Sequence, residues 1–218
     1  MSEMNGKRAA LILNGEEIPV EIQGYSHIVC ADGGYNALRA LGVVPDAIVG
    51  DMDSIIPEYL EDARSKGVLL IRYDADKNET DGALALKYLA ESGAAAVDIY
   101  GAFGGRQDHQ AENLSLLRVA RKSGIPAKIC GAGFDVYFVS GRNAAFEIRD
   151  VFPGSTVSVA PVTAMRFEGS RGLKYALSNL LIQPGSGRGI SNLTTADSFD
   201  FTLRSGSGYV YVFNRANA

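Results

Sequence analysis

Between residues 9 and 130, short apolar runs rich in β-branched residues alternate with longer stretches whose apolar positions recur every three or four residues. The runs at 9–13, 27–30, 47–49, 68–71, 97–100 and 127–130 have the length and composition of strands. The stretches between them predict helices over 35–41, 57–65, 81–92 and 110–123. In the last two, Leu84, Tyr88 and Leu89, then Leu114, Leu117 and Ala120, fall on one face, and Gly93 and Gly124 close the pattern. Such alternation predicts an α/β fold with a mainly parallel, Rossmann-like sheet and helices on both faces. Ligands of these sheets sit outside the carboxyl ends of the strands. Polar residues just past each predicted strand are therefore the first candidates for chemistry.

After about residue 141 the texture changes. No helical window remains, and runs at 156–160, 199–203 and 209–213 are separated by Gly, Ser, Asn and Pro. That pattern predicts an all-β sandwich. The boundary falls at 140/141, giving an α/β domain over 1–140 and a β-sandwich over 141–218. No linker-like or low-complexity segment separates them, and no internal repeat is visible.

Composition narrows the classes. Of 218 residues, 46% are hydrophobic and 21% charged, the profile of a folded chain with a core. A net charge of −4 offers no overall attraction for nucleic acid or an anionic membrane. An anionic substrate would have to be met by local cations or metal ions. No apolar run approaches the ~18 residues of a membrane span, and the first residues lack the apolar core of a secretory signal. A soluble, cytoplasmic protein is expected. Cys30 and Cys130 are too few for a disulfide framework in a chain of this size, so both are expected reduced and buried.

Four polar segments follow predicted strands. In 31–46, Asp32 precedes Gly33 and Gly34, which allow a close turn into a helix whose first amides would hold an anion; a plain turn uses the same residues. In 49–55, Asp51 and Asp53 leave an apolar strand two residues apart. They repel each other unless a cation lies between them, and hard oxygen donors suit Mg²⁺; the alternative is a solvated, capping turn. In 74–89, Thr80 and Asp81 stand at a helix start, where capping alone accounts for both. Functionally, Asp81 would add a third carboxylate and Lys77 would contact a phosphate. In 101–117, Gly101, Gly104 and Gly105 permit close backbone approach before Arg106, Asp108 and His109. Arg106 suits phosphate through its forked donors, and His109 suits proton transfer or a buried structural role. No P-loop pattern occurs, and the α/β part has no GxSxG elbow.

The ordered set ADGG, PD, GDMDS, K-N-E-T-D and GGRQDH resembles the thiamine pyrophosphokinase family, its bacterial branch in particular. Residues 172–192, GLKYALSNLLIQPGSGRGISN, are similar to the family's GLKY and S-N elements. The resemblance implies a catalytic, ATP- and Mg²⁺-binding first domain and a second domain for thiamine binding and dimerisation. It implies a homodimer with thiamine at the subunit interface. It places Asp51, Asp53 and Asp81 at the Mg²⁺–ATP acids, and it makes Asp51, Asp53, Asp81, Asp108 and His109 the catalytic set. Asp32, Gly33, Gly34, Lys77, Thr80 and Arg106 go with the nucleotide, and Ser191 and Asn192 with thiamine; without the resemblance the latter pair reads as an ordinary β-turn. Asn78 stands where bacterial relatives commonly carry Asp, and an amide brings no charge to a metal. The chain has no Trp, so an aromatic stacking on thiamine would be a Tyr.

The implied reaction is attack of thiamine's hydroxyethyl oxygen on the β-phosphorus of ATP, giving thiamine diphosphate and AMP. Two rivals use the same residues: a metal-dependent phosphohydrolase acting on a nucleotide or sugar phosphate, and a nucleotide sensor without turnover.

Overall fold

The computed structural model describes residues 7–16, 18, 22–74, 76 and 78–213. They form two compact units, Met1–Ala132 and Gly133–Ala218.

The first unit contains β1 (Arg8–Ile12), β2 (His27–Ala31), α1 (Gly34–Ala40), β3 (Ala47–Gly50), α2 (Pro57–Ser65), β4 (Leu69–Arg72), α3 (Asp81–Glu91), β5 (Ala96–Tyr100), α4 (Gln107–Lys122) and β6 (Ala127–Gly131). Its strands are all parallel in the order β6-β5-β1-β2-β3-β4. From β1 the chain steps outward through β2, β3 and β4, then returns to the other side of β1 for β5 and β6. Connections leaving β1 and β5 therefore diverge, which opens a crevice at the carboxyl ends of the central strands.

Side-chain alternation explains the layering. Ala10, Ile12, Cys30 and Ile48 pack with Tyr35 and Leu38 of α1 and Ala63 of α2. The intervening Ala9, Leu11, Val29 and Val49, also buried, face the opposite way, where α3 contacts β1, β2 and β3. Helix α4 begins at Gln107, three residues before the expected start, because extended Arg106 already serves as its N-cap. Cys30 is buried and Cys130 half-buried, and neither is in a disulfide. No helix among the described residues is long and apolar enough to cross a membrane.

The second unit contains β7 (Phe134–Ser140), β8 (Ala144–Arg149), β9 (Thr156–Pro161), β10 (Met165–Arg171), β11 (Leu181–Ile182), β12 (Asn192–Leu193), β13 (Ser198–Ser205) and β14 (Ser207–Phe213). Within it, β12-β9-β14-β7 and β11-β10-β13-β8 are antiparallel. Val157, Val159, Val210 and Val212 of the first set share one core with Phe167, Phe199, Phe201 and Leu203 of the second. This is the expected sandwich. The units divide at 132/133, whereas the sequence boundary was set at 140/141. The difference is β7, which pairs along its whole length with β14, from Phe134 opposite Phe213 to Ser140 opposite Ser207. A strand's own composition does not say which sheet it joins.

Candidate active site

Strands β2 and β3 run in register, Ala31 beside Val49, so the residues after them emerge side by side. Asp32 extends the ladder by one rung, its N–H donating to the Val49 carbonyl at 2.9 Å. It then turns through a positive φ of 41°, a conformation that non-glycine residues rarely adopt. After β3, Met52 takes a φ of 70° and buries its side chain in the core beside α1 and α2. That turn leaves Asp51 and Asp53 on the site side. Carboxylate oxygens of Asp32, Asp51 and Asp53 all lie within 4.8 Å of one another.

Short bonds hold this loop. The Asp53 N–H donates to Asp51 Oδ1 at 3.2 Å, and the Ser54 hydroxyl to Asp53 Oδ1 at 2.9 Å. Asn36, in the first turn of α1, grips the following residues. Its Nδ2 donates to the Ser54 carbonyl at 2.8 Å and its Oδ1 accepts from the Ile56 N–H at 3.1 Å. The sequence reading missed Asn36; its only signal was a lone amide among the helix's apolar residues.

Packed this closely, two full charges such as those of Asp32 and Asp51 repel by roughly 3 kcal/mol at an effective dielectric of about 20. Burial pushes the Asp32 carboxyl above its ordinary range. The Ser54 hydroxyl and the Gly33 N–H oppose that shift, and the negative charges of Asp81 and Asp51 add to it. Asp32 Oδ1 is buried and has no hydrogen-bond partner among the described residues. A buried acceptor without a donor costs on the order of 1–3 kcal/mol. One divalent cation among these oxygens would remove both penalties, and all-oxygen donors fit Mg²⁺.

Asp81 opens α3 and stands directly behind β3. A Cβ added at Gly50 would lie 2.9 Å from Asp81 Oδ1 and 3.0 Å from the Asp32 Cβ. The trio that the structure assembles is thus Asp32, Asp51 and Asp53, with Asp81 adjoining it across Gly50. The reading from sequence had Asp81 in the metal set and Asp32 with the nucleotide. Thr80 is the N-cap of α3, its hydroxyl accepting from the Ala83 N–H at 3.2 Å. Asn78 is exposed, and Lys77 lies outside the described residues.

Gly33 and Gly34 answer to neighbouring chain. A Cβ at Gly34 would sit 2.5 Å from the Ile12 carbonyl oxygen, and one at Gly33 2.5 Å from the Asn14 side chain. The amides of Tyr35 and Asn36 already bond the carbonyls of Asp32 and Gly33. From Asn14 the rim continues to the loop after β5: the Glu16 N–H donates to the Phe103 carbonyl at 2.9 Å, and Glu16 Oε1 accepts from the Gly105 N–H at 3.2 Å. Beyond that glycine turn, Arg106 and Asp108 pair through both ends of the fork, Nε to Oδ1 at 3.1 Å and Nη2 to Oδ2 at 2.6 Å. The guanidinium holds the Asp108 carboxyl down at about 2, so it stays ionised. His109 is exposed, not a buried structural imidazole.

In the second unit, Ser191 is exposed with a φ of 63°, and Asn192 is buried. Asn192 forms part of the lining of a cavity of about 200 Å³ whose walls include Val157, Val159, Tyr175, Leu177 and Arg188. Tyr175 is 60% exposed, with the Lys174 ammonium 5.4 Å from its ring centroid. Tyr175 and Arg188 were not singled out from sequence; the GLKY element marked the segment without indicating that its aromatic stands at a cavity.

Comparison with known proteins identifies the family. Residues 20–129 match the family model described as thiamin pyrophosphokinase, catalytic domain. The thiamine pyrophosphokinase of Bacillus subtilis is 30% identical over 163 residues, covering 74% of this chain and 75% of the relative. Its crystal structure superposes with a TM-score of 0.84 at 25% identity, over 96% of this chain and all of that one. The yeast thiamin pyrophosphokinase structure, at 18% identity and a TM-score of 0.75, shares the fold. The chain belongs to the thiamin pyrophosphokinase family.

Proposed function

We propose that the rim running from Asp53 through Asp32 to Arg106 is where this enzyme transfers a pyrophosphoryl group from ATP to the hydroxyethyl oxygen of thiamine, giving thiamine diphosphate and AMP. The observation that carries the assignment is the buried Asp32 Oδ1, unpartnered among the described residues, in a group of three carboxylates at adjoining strand ends. Asp32, Asp51 and Asp53 would hold Mg²⁺, with Asp81 adjacent. When bound, the ion neutralises phosphate charge and polarises the phosphorus–oxygen bonds.

The chain's own residues do the rest by positioning and charge, which dominate phosphoryl-type transfer. Asp108 occupies Nε and Nη2 of Arg106 and leaves Nη1 for a phosphate oxygen. Asp108 thus aims the fork, and His109, exposed beside it, is available for proton transfer. Lys77 is assigned to a phosphate on the family motif. Thr80 supports the site by fixing the start of α3, and with it Asp81.

Thiamine is assigned to the second unit's cavity. An apolar void of about 150 Å³ holds a benzene ring, so about 200 Å³ suits one ring of a two-ring substrate. Tyr175 is the aromatic at its edge. Exposed Tyr175, Leu181 and Ile190 give this unit apolar surface consistent with a homodimer that shares its sites between subunits. Two cysteines outside any disulfide suit a cytoplasmic enzyme.

The deciding experiment measures AMP formed from ATP with and without thiamine and Mg²⁺. AMP that requires both supports the reading. Phosphate released without an acceptor favours the hydrolase, and ATP binding without turnover favours the sensor.

A further inference from the structure

Asn192 was grouped with thiamine as a contact residue, yet its carboxamide is engaged elsewhere. Oδ1 accepts from the Tyr175 N–H and from the Leu193 N–H, both at 2.9 Å. Nδ2 donates to the Tyr175 carbonyl at 2.7 Å. Both lone pairs of the oxygen are used, and one of the two N–H donors. The partners fix the orientation of the amide, since the oxygen faces two donors and the nitrogen an acceptor.

The reason lies in the backbone. Residues 172–174 form an antiparallel ladder with 193–195: the Lys174 N–H donates to the Leu193 carbonyl at 2.8 Å and the Thr195 N–H to the Gly172 carbonyl at 2.9 Å, around a Leu173–Thr194 bridge. Alternate residues of a strand face alternate neighbours, and Asn192 pairs with Val157 of β9. Continued past the bridge, this register sets Tyr175 opposite Asn192 and Ala176 opposite Ser191. Ser191 instead turns away at a φ of 63°, its N–H donating to Ser158 Oγ at 3.1 Å. The ladder stops there, and with the Asn192 main chain paired to β9, its side chain supplies Tyr175 with a donor and an acceptor.

This clasp matters because two segments line the cavity together, Tyr175, Ala176 and Leu177 from one and Gly189, Ile190 and Asn192 from the other. The wall is anchored twice: Tyr175 by Asn192, and Leu177 by Ser170, whose Oγ accepts from the Leu177 N–H at 2.9 Å. Ser170 is not among the lining residues.

We propose that Asn192 is a positioning residue, acting as a side-chain peptide surrogate that sets the spacing of the cavity walls, and that it works through Tyr175 without contacting thiamine. The proposal rests on the assignment of thiamine to this cavity. A substrate ring gripped between two walls is sensitive to their spacing, so slackening one wall weakens thiamine binding and leaves ATP untouched.

The test uses the full-length protein, with Asn192→Ala, Asn192→Asp and Ser170→Ala. Hydrogen exchange of the Tyr175 amide is followed without ligand, and KM is measured for each substrate. Asn192→Ala should speed exchange at Tyr175 and raise the thiamine KM, each about tenfold, with the ATP KM within twofold. Asn192→Asp keeps both accepting bonds but sets an oxygen against the Tyr175 carbonyl, so it should change both readouts in the same direction, and it serves if the alanine variant fails to fold. Ser170→Ala should raise the thiamine KM as well, since it frees the same wall. A raised thiamine KM with unchanged exchange and a silent Ser170→Ala would mean that Asn192 touches substrate, which overturns the proposal. Faster exchange with an unchanged thiamine KM would also overturn it. Wild-type protein lacking thiamine-dependent AMP formation would sink the assigned reaction instead, and the exchange measurement would still report on the clasp.

Discussion

Two buried polar groupings, one in each unit, are organised in opposite ways. In the first, Asp32 is 7% exposed and keeps an oxygen without a donor among the described residues, beside two more carboxylates within 4.8 Å. In the second, Asn192 and Thr194 are also buried, and their polar atoms are engaged with backbone. Unfilled valence in a buried place is costly, and among crowded carboxylates it suits a bound cation. Filled valence marks a part that holds other parts in place. Burial of a polar residue alone does not distinguish the two.

The most severe test of this contrast is on the carboxylates. Asp51→Asn and Asp53→Asn should each lower turnover by at least about a hundredfold with the fold intact, because aimed charge is a large share of such catalysis. Near-normal turnover at saturating Mg²⁺ in both variants would erase the difference between the two regions. Next in size is Thr194→Val. The Thr194 hydroxyl donates to the Phe152 carbonyl at 2.6 Å and accepts from the Ser155 N–H at 2.9 Å. Losing it should cost about 2 kcal/mol, a Tm lower by roughly 4–8 °C, with KM values unchanged. A change in KM without a change in Tm would put Thr194 among the ligand-binding groups.

Arg106 falls between the extremes, with part of its fork satisfied. Arg106→Ala should raise the ATP KM about tenfold and leave the thiamine KM near its original value; steady-state titration of each substrate checks this. Equal effects on both would mean that its role is misassigned. The smallest expected effect has the opposite sign. Asp51→Asn relieves like-charge repulsion yet still accepts from the Asp53 N–H, so the metal-free protein should gain about 1 kcal/mol, or ~2–4 °C in Tm. The same variant should lose most of the Tm increase that Mg²⁺ gives the wild type. A lower Tm in the metal-free variant would show that the cluster is not strained.

Much of this architecture was readable in the chain. The six parallel strands follow from their apolar runs, and the placement of Asp32, Asp51 and Asp53 follows from where those runs end. Pairwise sheet order was not readable, which is why β7 fell on the wrong side of the 140/141 line relative to the division at 132/133. Membership of the acidic trio was hidden for a similar reason. Asp32 and Asp51 are neighbours because β2 and β3 are, whereas Asp81 reaches the same place from a helix start and stops one glycine short. The glycines of the DGG turn signalled closeness correctly but not to what. Their hydrogens face Ile12 and Asn14.

Met52 places an unusual constraint on mutational drift. Its backbone lies at a φ of 70°, where glycine is at ease, while its side chain fills the core. Glycine would relax the backbone and leave a hole. Valine or isoleucine would fill the hole, but branching at Cβ opposes that φ. Asparagine tolerates the turn and would bury an amide with no partner. An unbranched, pliant, apolar side chain meets both demands at once. Each of these exits from Met52 therefore passes through a less stable protein, and the spacing of two aspartates is protected by an uncharged residue of the core.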